Sequence, residues 1–413
     1  MTLSRIGRLS MALVVSVAMG LGMTSCGGGT VGYLWVLGTQ YNNIAGFKID
    51  DFTGNLTQTV GSPYPSGGTN PVMLALKSGG RYLYVLNAGT PNIALFSVGG
   101  DGTLTYQYSF TSQGTNPIWI TTDSTGNYLF VLDQKSPAYG TVTNGVTDLN
   151  GDITAFSLDG STGRPSLITN QAIKNTAGTQ ITYFEVGQTP TQLRYASTGC
   201  LYTLDTGTTS TGGLQSIFPY TLNSSNGQLT LPTNSVIDLP TVNATSVNVG
   251  GSYVYVTDAG NVLGAPGSIL PYTQGSSCSL SPVTGGTIAN LPTASNPIQT
   301  LTDAKNKYVY VLNHSTSNTN YADSTISAFT IQTTGQLQQL GDTLNPYSVG
   351  AGPVCFAEDP TDQYLYTSNK YDGTVTGKIL SNITGQLSPL TRGSKFTAVG
   401  LASCLVISPD TGY

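Results

Sequence analysis

Only one residue in this 413-residue chain carries an imidazole, His314. It follows YVYVLN, the apolar run from Tyr308 to Asn313, and so stands in a loop at a strand end, where a general base can reach substrate. The plainer alternative is a solvated loop histidine. A single imidazole excludes the usual His-rich zinc sites. Glutamate occurs twice, at Glu185 and Glu358. Glu358 and Arg194 fall in segments expected to be inner strands, where they could face a central channel and bind an anion or a hydroxyl-rich ligand. A paired or solvated channel charge is the ordinary alternative. The other arginines beyond residue 26 are Arg81, Arg164 and Arg392, at or near turns, and a phosphate pocket would want a cluster of cations. Asp148-Leu149-Asn150-Gly151-Asp152 follows the start of a calcium loop, with Asp159 at the twelfth place. Glycine is missing at the sixth place and Ile153 already begins a strand, so an acidic turn is the better reading and no metal is expected. The surrounding loop, Gln134 to Gly151, is the longest insertion between first and second strands and a plausible binding element. No phosphate loop, nucleophile elbow or CxxC motif occurs, and no cofactor is expected.

These residues are set in a repeat. Strands that mostly open on an aromatic begin at Tyr33 (YLWVLG), Tyr82 (YLYVLN), Tyr128 (YLFVLD), Cys200 (CLYTLD), Tyr253 (YVYVTD), Tyr308 (YVYVLN) and Tyr364 (YLYTSN). A second strand follows each, from Ile44, Ile93, Ile153, Ser216, Ser268, Ile326 and Val375. Next come turns such as DGTL at Asp101, NGQL at Asn226, SCSL at Ser277 and TGQL at Thr334 and Thr384, then a third strand. Such turns favour glycine because it takes positive φ cheaply. A fourth strand precedes the next repeat, often after proline, as at Pro71, Pro117, Pro297 and Pro353. Four short antiparallel strands per repeat describe a propeller blade, and a ring of blades leaves only short edges. The fold class is therefore all-β, a seven-bladed β-propeller. The end of the chain, ASCLVISPDTGY from Ala402, aligns with PVCFAEDPTDQY from Pro353. It supplies an inner strand to the blade that Tyr33 opens, so both chain ends close one blade. Asn87, Asp133, Asp205, Asp258, Asn313 and Asn369 end equivalent strands and are expected to cap the turns that follow.

The repeats LYVLN, VYVTD and VYVLN with their TGQL turns resemble the YVTN-type propellers and the wider lactonase-like family, which includes 6-phosphogluconolactonases. The resemblance covers residues 33–413. It implies a lactone hydrolase that uses histidine together with arginine and acidic residues. The family's His-x-His and Arg-His signatures are absent, so no catalytic site is carried over and His314 stands alone. Two functions follow: a binding module that meets a protein or glycan with its loop-rich face, and a divergent lactonase.

Residues 1–25 have the arginines and apolar stretch of a signal peptide. They end in Met23-Thr24-Ser25-Cys26, which resembles a lipobox, so Cys26 is expected to carry lipid and anchor the protein in the cell envelope. Residues 26–32 are a Gly-rich tether. Charged residues make up 8% of the chain, against about 25% in average domains, and the net charge is −5. With no basic stripe, nucleic acid is not an expected partner, and a monomer is expected. The remaining cysteines suit an oxidising compartment. Cys200 opens a first strand and Cys278 lies in a turn of the next blade on the same face, which makes them the preferred bridge. Cys355 and Cys404 hold equivalent places on adjacent inner strands, with a Cα spacing expected to strain the limit of about 7 Å.

Overall fold

The computed structural model describes residues 29–413 except 144–145, 208–214, 242, 261–266, 289–290, 292–294, 316–320, 343–344 and 410–413. The segment expected to be a signal peptide, residues 1–25, and Cys26 lie outside the described residues. Seven antiparallel sheets ring an axis, and we number the blades from the one that Thr30–Gly38 opens. Their inner strands are Ala402–Pro409, Pro71–Leu76, Thr115–Thr122, Pro190–Ala196, Ala244–Gly250, Ser295–Thr302 and Pro353–Glu358. Each Tyr-led strand is second from the axis, sandwiched between neighbouring blades. Both of its faces are buried, which is why YLYVLN-type runs are continuously apolar rather than alternating.

Blade 1 is closed as expected: Ala402–Pro409 pairs with Thr30–Gly38, from Gly32 opposite Pro409 to Gly38 opposite Ala402. The strand begins at Thr30 rather than Tyr33, so Thr30, Val31 and Gly32 of the expected tether belong to the blade. A second departure lies at the rim. Outer strands such as Leu56–Gln58 and Leu337–Gln339 cover only one half of the third strand, and short segments such as Tyr64–Pro65 and Tyr347–Ser348 pair with its other half. Blade 2 keeps an unbroken outer strand, Leu104–Phe110.

The blades are joined by one repeated contact. The first tyrosine of a blade lies against the turn glycine of the next blade: Tyr33 on Gly102, Tyr82 on Gly163, Tyr128 on Gly227, Tyr253 on Gly335, Tyr308 on Gly385 and Tyr364 on Gly54. At Gly335, at φ +83°, a Cβ would lie 2.2 Å from the Tyr253 ring, so only glycine fits. The hydroxyls then donate to carbonyls of the same turns, Tyr128 to Ser224 at 3.0 Å and Tyr308 to Ile383 at 2.6 Å. Between blades 4 and 5 a Cys200–Cys278 disulfide takes this place, with Cα atoms 5.6 Å apart. Cys355 and Cys404 are also bridged, at a Cα spacing of 5.0 Å. The expected excess over the limit does not arise, because inner strands of adjacent blades converge on the axis.

Candidate functional site

One residue from each of six inner strands turns towards the axis. Met73, Trp119, Gln192, Gln299, Cys355 and Cys404 line a cavity of about 240 Å3 at the mouth where the inner strands begin. A second cavity of about 350 Å3 lies beyond Trp119, Gln299 and the Cys355–Cys404 bridge. Arg194, two places after Gln192 and so on the same strand face, lines this deeper cavity. Its guanidinium lies over the Trp119 ring, 4.4 Å from the centroid. Its Nε donates to the Val247 carbonyl at 3.1 Å, and its Nη2 donates to the Gln299 side-chain oxygen at 2.9 Å. The Gln299 amide nitrogen in turn donates to the Val354 carbonyl at 3.2 Å.

His314 lines the mouth cavity. Its Nε2 is 2.7 Å from the Pro353 carbonyl oxygen. A carbonyl can only accept, so Nε2 carries the proton and Nδ1 keeps the lone pair of a base. The ring stacks on Tyr321, with centroids 4.3 Å apart. Burial holds the imidazole below its usual pKa, against the opposing pull of the Pro353 carbonyl. It is therefore neutral at physiological pH.

Glu358 does not join this group. At the sixth place of its strand it turns away from the axis, and its Oε2 accepts the Ala304 amide of blade 6 at 3.0 Å. Burial raises its pKa, aided by the neighbouring Asp362, and Asp362 pairs with Lys305. Of the expected channel charges, Arg194 faces the axis and Glu358 does not.

A larger cleft, about 940 Å3, opens on the same face of the ring in blade 3. The Gln134–Gly151 loop forms one wall, and a second insertion around residues 173–183 forms the other. Asp148 and Glu185 both line it, and the Glu185 pKa is raised by burial and then by Asp148. The calcium-loop residues do not converge: Asp148 accepts the Asn150 amide at 2.8 Å, while Asp152 is fully buried opposite Asp133. Among the described residues no group of three or more histidines, cysteines or acids is arranged to hold a metal. Of the strand-end Asx residues, Asp258 caps the turn that follows, accepting the Gly260 amide at 2.9 Å. Asn87 and Asp258 also hold the segment that crosses in from the neighbouring blade: Asn87 donates to the Ser66 carbonyl at 3.2 Å and Asp258 accepts the Asn243 amide at 2.9 Å.

Residues 30–166 match a family model described as lactonase, 7-bladed β-propeller. The match covers about a third of the chain, and the fold is that of a seven-bladed β-propeller. The whole ring is similar to a candidate 6-phosphogluconolactonase from Bacteroides fragilis, at a TM-score of 0.65 and 17% identity over 92% of this chain and 98% of that one. It is also similar to the periplasmic gluconolactonase PpgL of Pseudomonas aeruginosa, at a TM-score of 0.63 and 15% identity over 91% and 99%. A Lactobacillus plantarum protein reaches a TM-score of 0.66 at 16% identity over 92% and 100%. No curated protein matches the sequence. Identities this low establish the fold, and activity has to be argued from the site.

In this propeller, residue type alone did not single out Trp119, Gln192, Gln299 and Tyr321, which frame Arg194 and His314. A signal was present: Trp119, Gln192 and Gln299 each stand two places after a proline of an inner strand. The second wall of the cleft was overlooked too, although the step from Tyr128 to Cys200 is the longest between Tyr-led strands.

Proposed function

We propose that this propeller is an extracytoplasmic hydrolase of sugar lactones, acting at the channel mouth. The observation that carries the reading is His314 on the wall of a cavity of about 240 Å3, with Nε2 held by the Pro353 carbonyl so that Nδ1 is the ring atom able to take a proton. At about 30 Å3 per water that cavity is the size of a single sugar ring. In the reaction His314 takes a proton from water, and the water oxygen bonds to the lactone carbonyl carbon. The ring C–O bond then breaks, and the proton passes to the departing ring oxygen, giving a hydroxy acid. The lactonase family match and a gluconolactonase among the similar structures support this reading. Two disulfides support an oxidising compartment, and lipid on Cys26 would hold the protein at the envelope. Cys26→Ser should then release the protein from membranes.

The test is a screen of the purified propeller against five- and six-membered aldonolactones. The expected result is hydrolysis that falls at least 100-fold in kcat/KM in His314→Ala. An inactive parent, or an unaltered His314→Ala, would overturn the reading. A second reading, a binding module for a protein or glycan, is favoured by the blade 3 cleft, whose amides, hydroxyls and acids suit a hydroxyl-rich ligand.

A further inference from the structure

Arg194 is a cation built into the channel with no counter-charge among the described residues. It is ringed by the Val247 carbonyl, the Gln299 amide and the Trp119 indole, all neutral. Arg194 takes no part in the ion pairs Lys305–Asp362 and Lys395–Asp372. Burial alone lowers its pKa, to about 10, and no acid opposes the shift. The group stays protonated at neutral pH, so a full positive charge is held where protein offers only dipoles. Such a charge is costly unless something pairs with it. The side chain is nevertheless partly accessible, because it borders a cavity of about 350 Å3. Nε and Nη2 pin the guanidinium, and the Nη1 edge of its planar fork keeps the geometry that matches an oxyanion.

We propose that this deeper cavity is a binding site for a small carboxylate monoanion, held by Arg194. One cation balances one negative charge, and a phosphate dianion would leave an excess buried charge. The choice of a carboxylate rests in part on the proposed hydrolase reading, since opening a lactone yields a hydroxy acid. Trp119 serves as a built-in reporter. The other tryptophan, Trp35, is fully buried and donates to the Gly102 carbonyl at a blade joint.

The test is calorimetric titration of the intact protein with gluconate and, separately, with inorganic phosphate, with tryptophan emission followed in parallel. We expect saturable gluconate binding, a change in emission, and weaker binding as chloride is raised. Arg194→Gln should weaken gluconate binding at least tenfold, and Arg194→Lys, which keeps the charge and loses the fork, by less. No saturable gluconate binding by the parent, or equal binding by Arg194→Gln, overturns the site. Tighter binding of phosphate than of gluconate overturns the carboxylate assignment. Gluconate binding through Arg194 without lactone hydrolysis would keep this site and remove the hydrolase reading. Hydrolysis without gluconate binding would do the reverse.

Discussion

Cys200 and Cys278 occupy the places that a tyrosine and a glycine hold at the six other blade joints. Cys278 even keeps the left-handed backbone of those glycines, at φ +62°. The bridge therefore replaces a packing contact with a covalent one at the joint of blades 4 and 5. Cys200→Ser should cost about 2–4 kcal/mol in denaturant unfolding. The double variant Cys200→Tyr/Cys278→Gly should recover part of that loss by restoring the ring-on-glycine contact. A double variant no more stable than Cys200→Ser would show that the joint is held by the covalent bond alone.

Asp133 and Asp152 are register partners across blade 3, both fully buried. Gly114 makes room for them, since a Cβ there would lie 2.1 Å from Asp152 Oδ1. Ser112 and the Gly114 amide hydrogen-bond Asp133, Thr154 donates to Asp152, and Glu185 adds a like charge. Burial raises both carboxyls above the unfolded value of 3.8. The folded state therefore keeps protons that the unfolded chain gives up. This stabilisation is complete below pH 3.8 and is lost progressively as pH rises through neutrality. Asp152→Asn should flatten that dependence and leave the variant more stable than the parent at pH 8, by on the order of 1–3 kcal/mol. Thermal melts from pH 5 to pH 9 would show it, and parallel curves for the two proteins would refute it.

The neutral imidazole of His314 sets the pH profile of any hydrolysis at the channel mouth. Its pKa lies below 6.5, so kcat/KM should rise with pH on an acidic limb centred below 6.5 and then level off. A limb centred above pH 7 would assign the base to another group.

Closure of the ring depends on the strand Ala402–Pro409. Deleting residues 402–413 would leave the Thr30–Gly38 strand with an unpaired edge beside the channel. Loss of a single sharp thermal transition and a tendency to aggregate are expected, as followed by circular dichroism and light scattering.

The cleft of blade 3 provides the check on the binding reading. If a glycan binds there, Asp148→Asn and Glu185→Gln should each weaken it several-fold, and His314→Ala should leave it unchanged. A glycan whose affinity depends on His314 belongs at the channel mouth instead.

The ring itself was legible because each element announces itself locally. The Tyr-led runs are apolar at every position because both faces are covered, and the turn glycines mark where positive φ is required. The C-terminal inner strand was legible by alignment with its counterpart at Pro353. Arg194 and Glu358 show where such reading stops. Both stand on inner strands, and one place of register sends the fifth residue to the axis and the sixth into a blade joint. Residue type does not encode that difference.

By itself, then, the sequence determined the blade count, the shared closing blade and the scarcity of catalytic side chains, because these depend on local pattern and composition. Only the tertiary structure decided which of those side chains meet. Ring closure brings Trp119, Arg194 and Gln299 together from three different blades. It seats His314 on the carbonyl of Pro353, 39 residues away in the next blade. Such contacts arise from the convergence of inner strands on one axis, a long-range geometry that no single repeat contains.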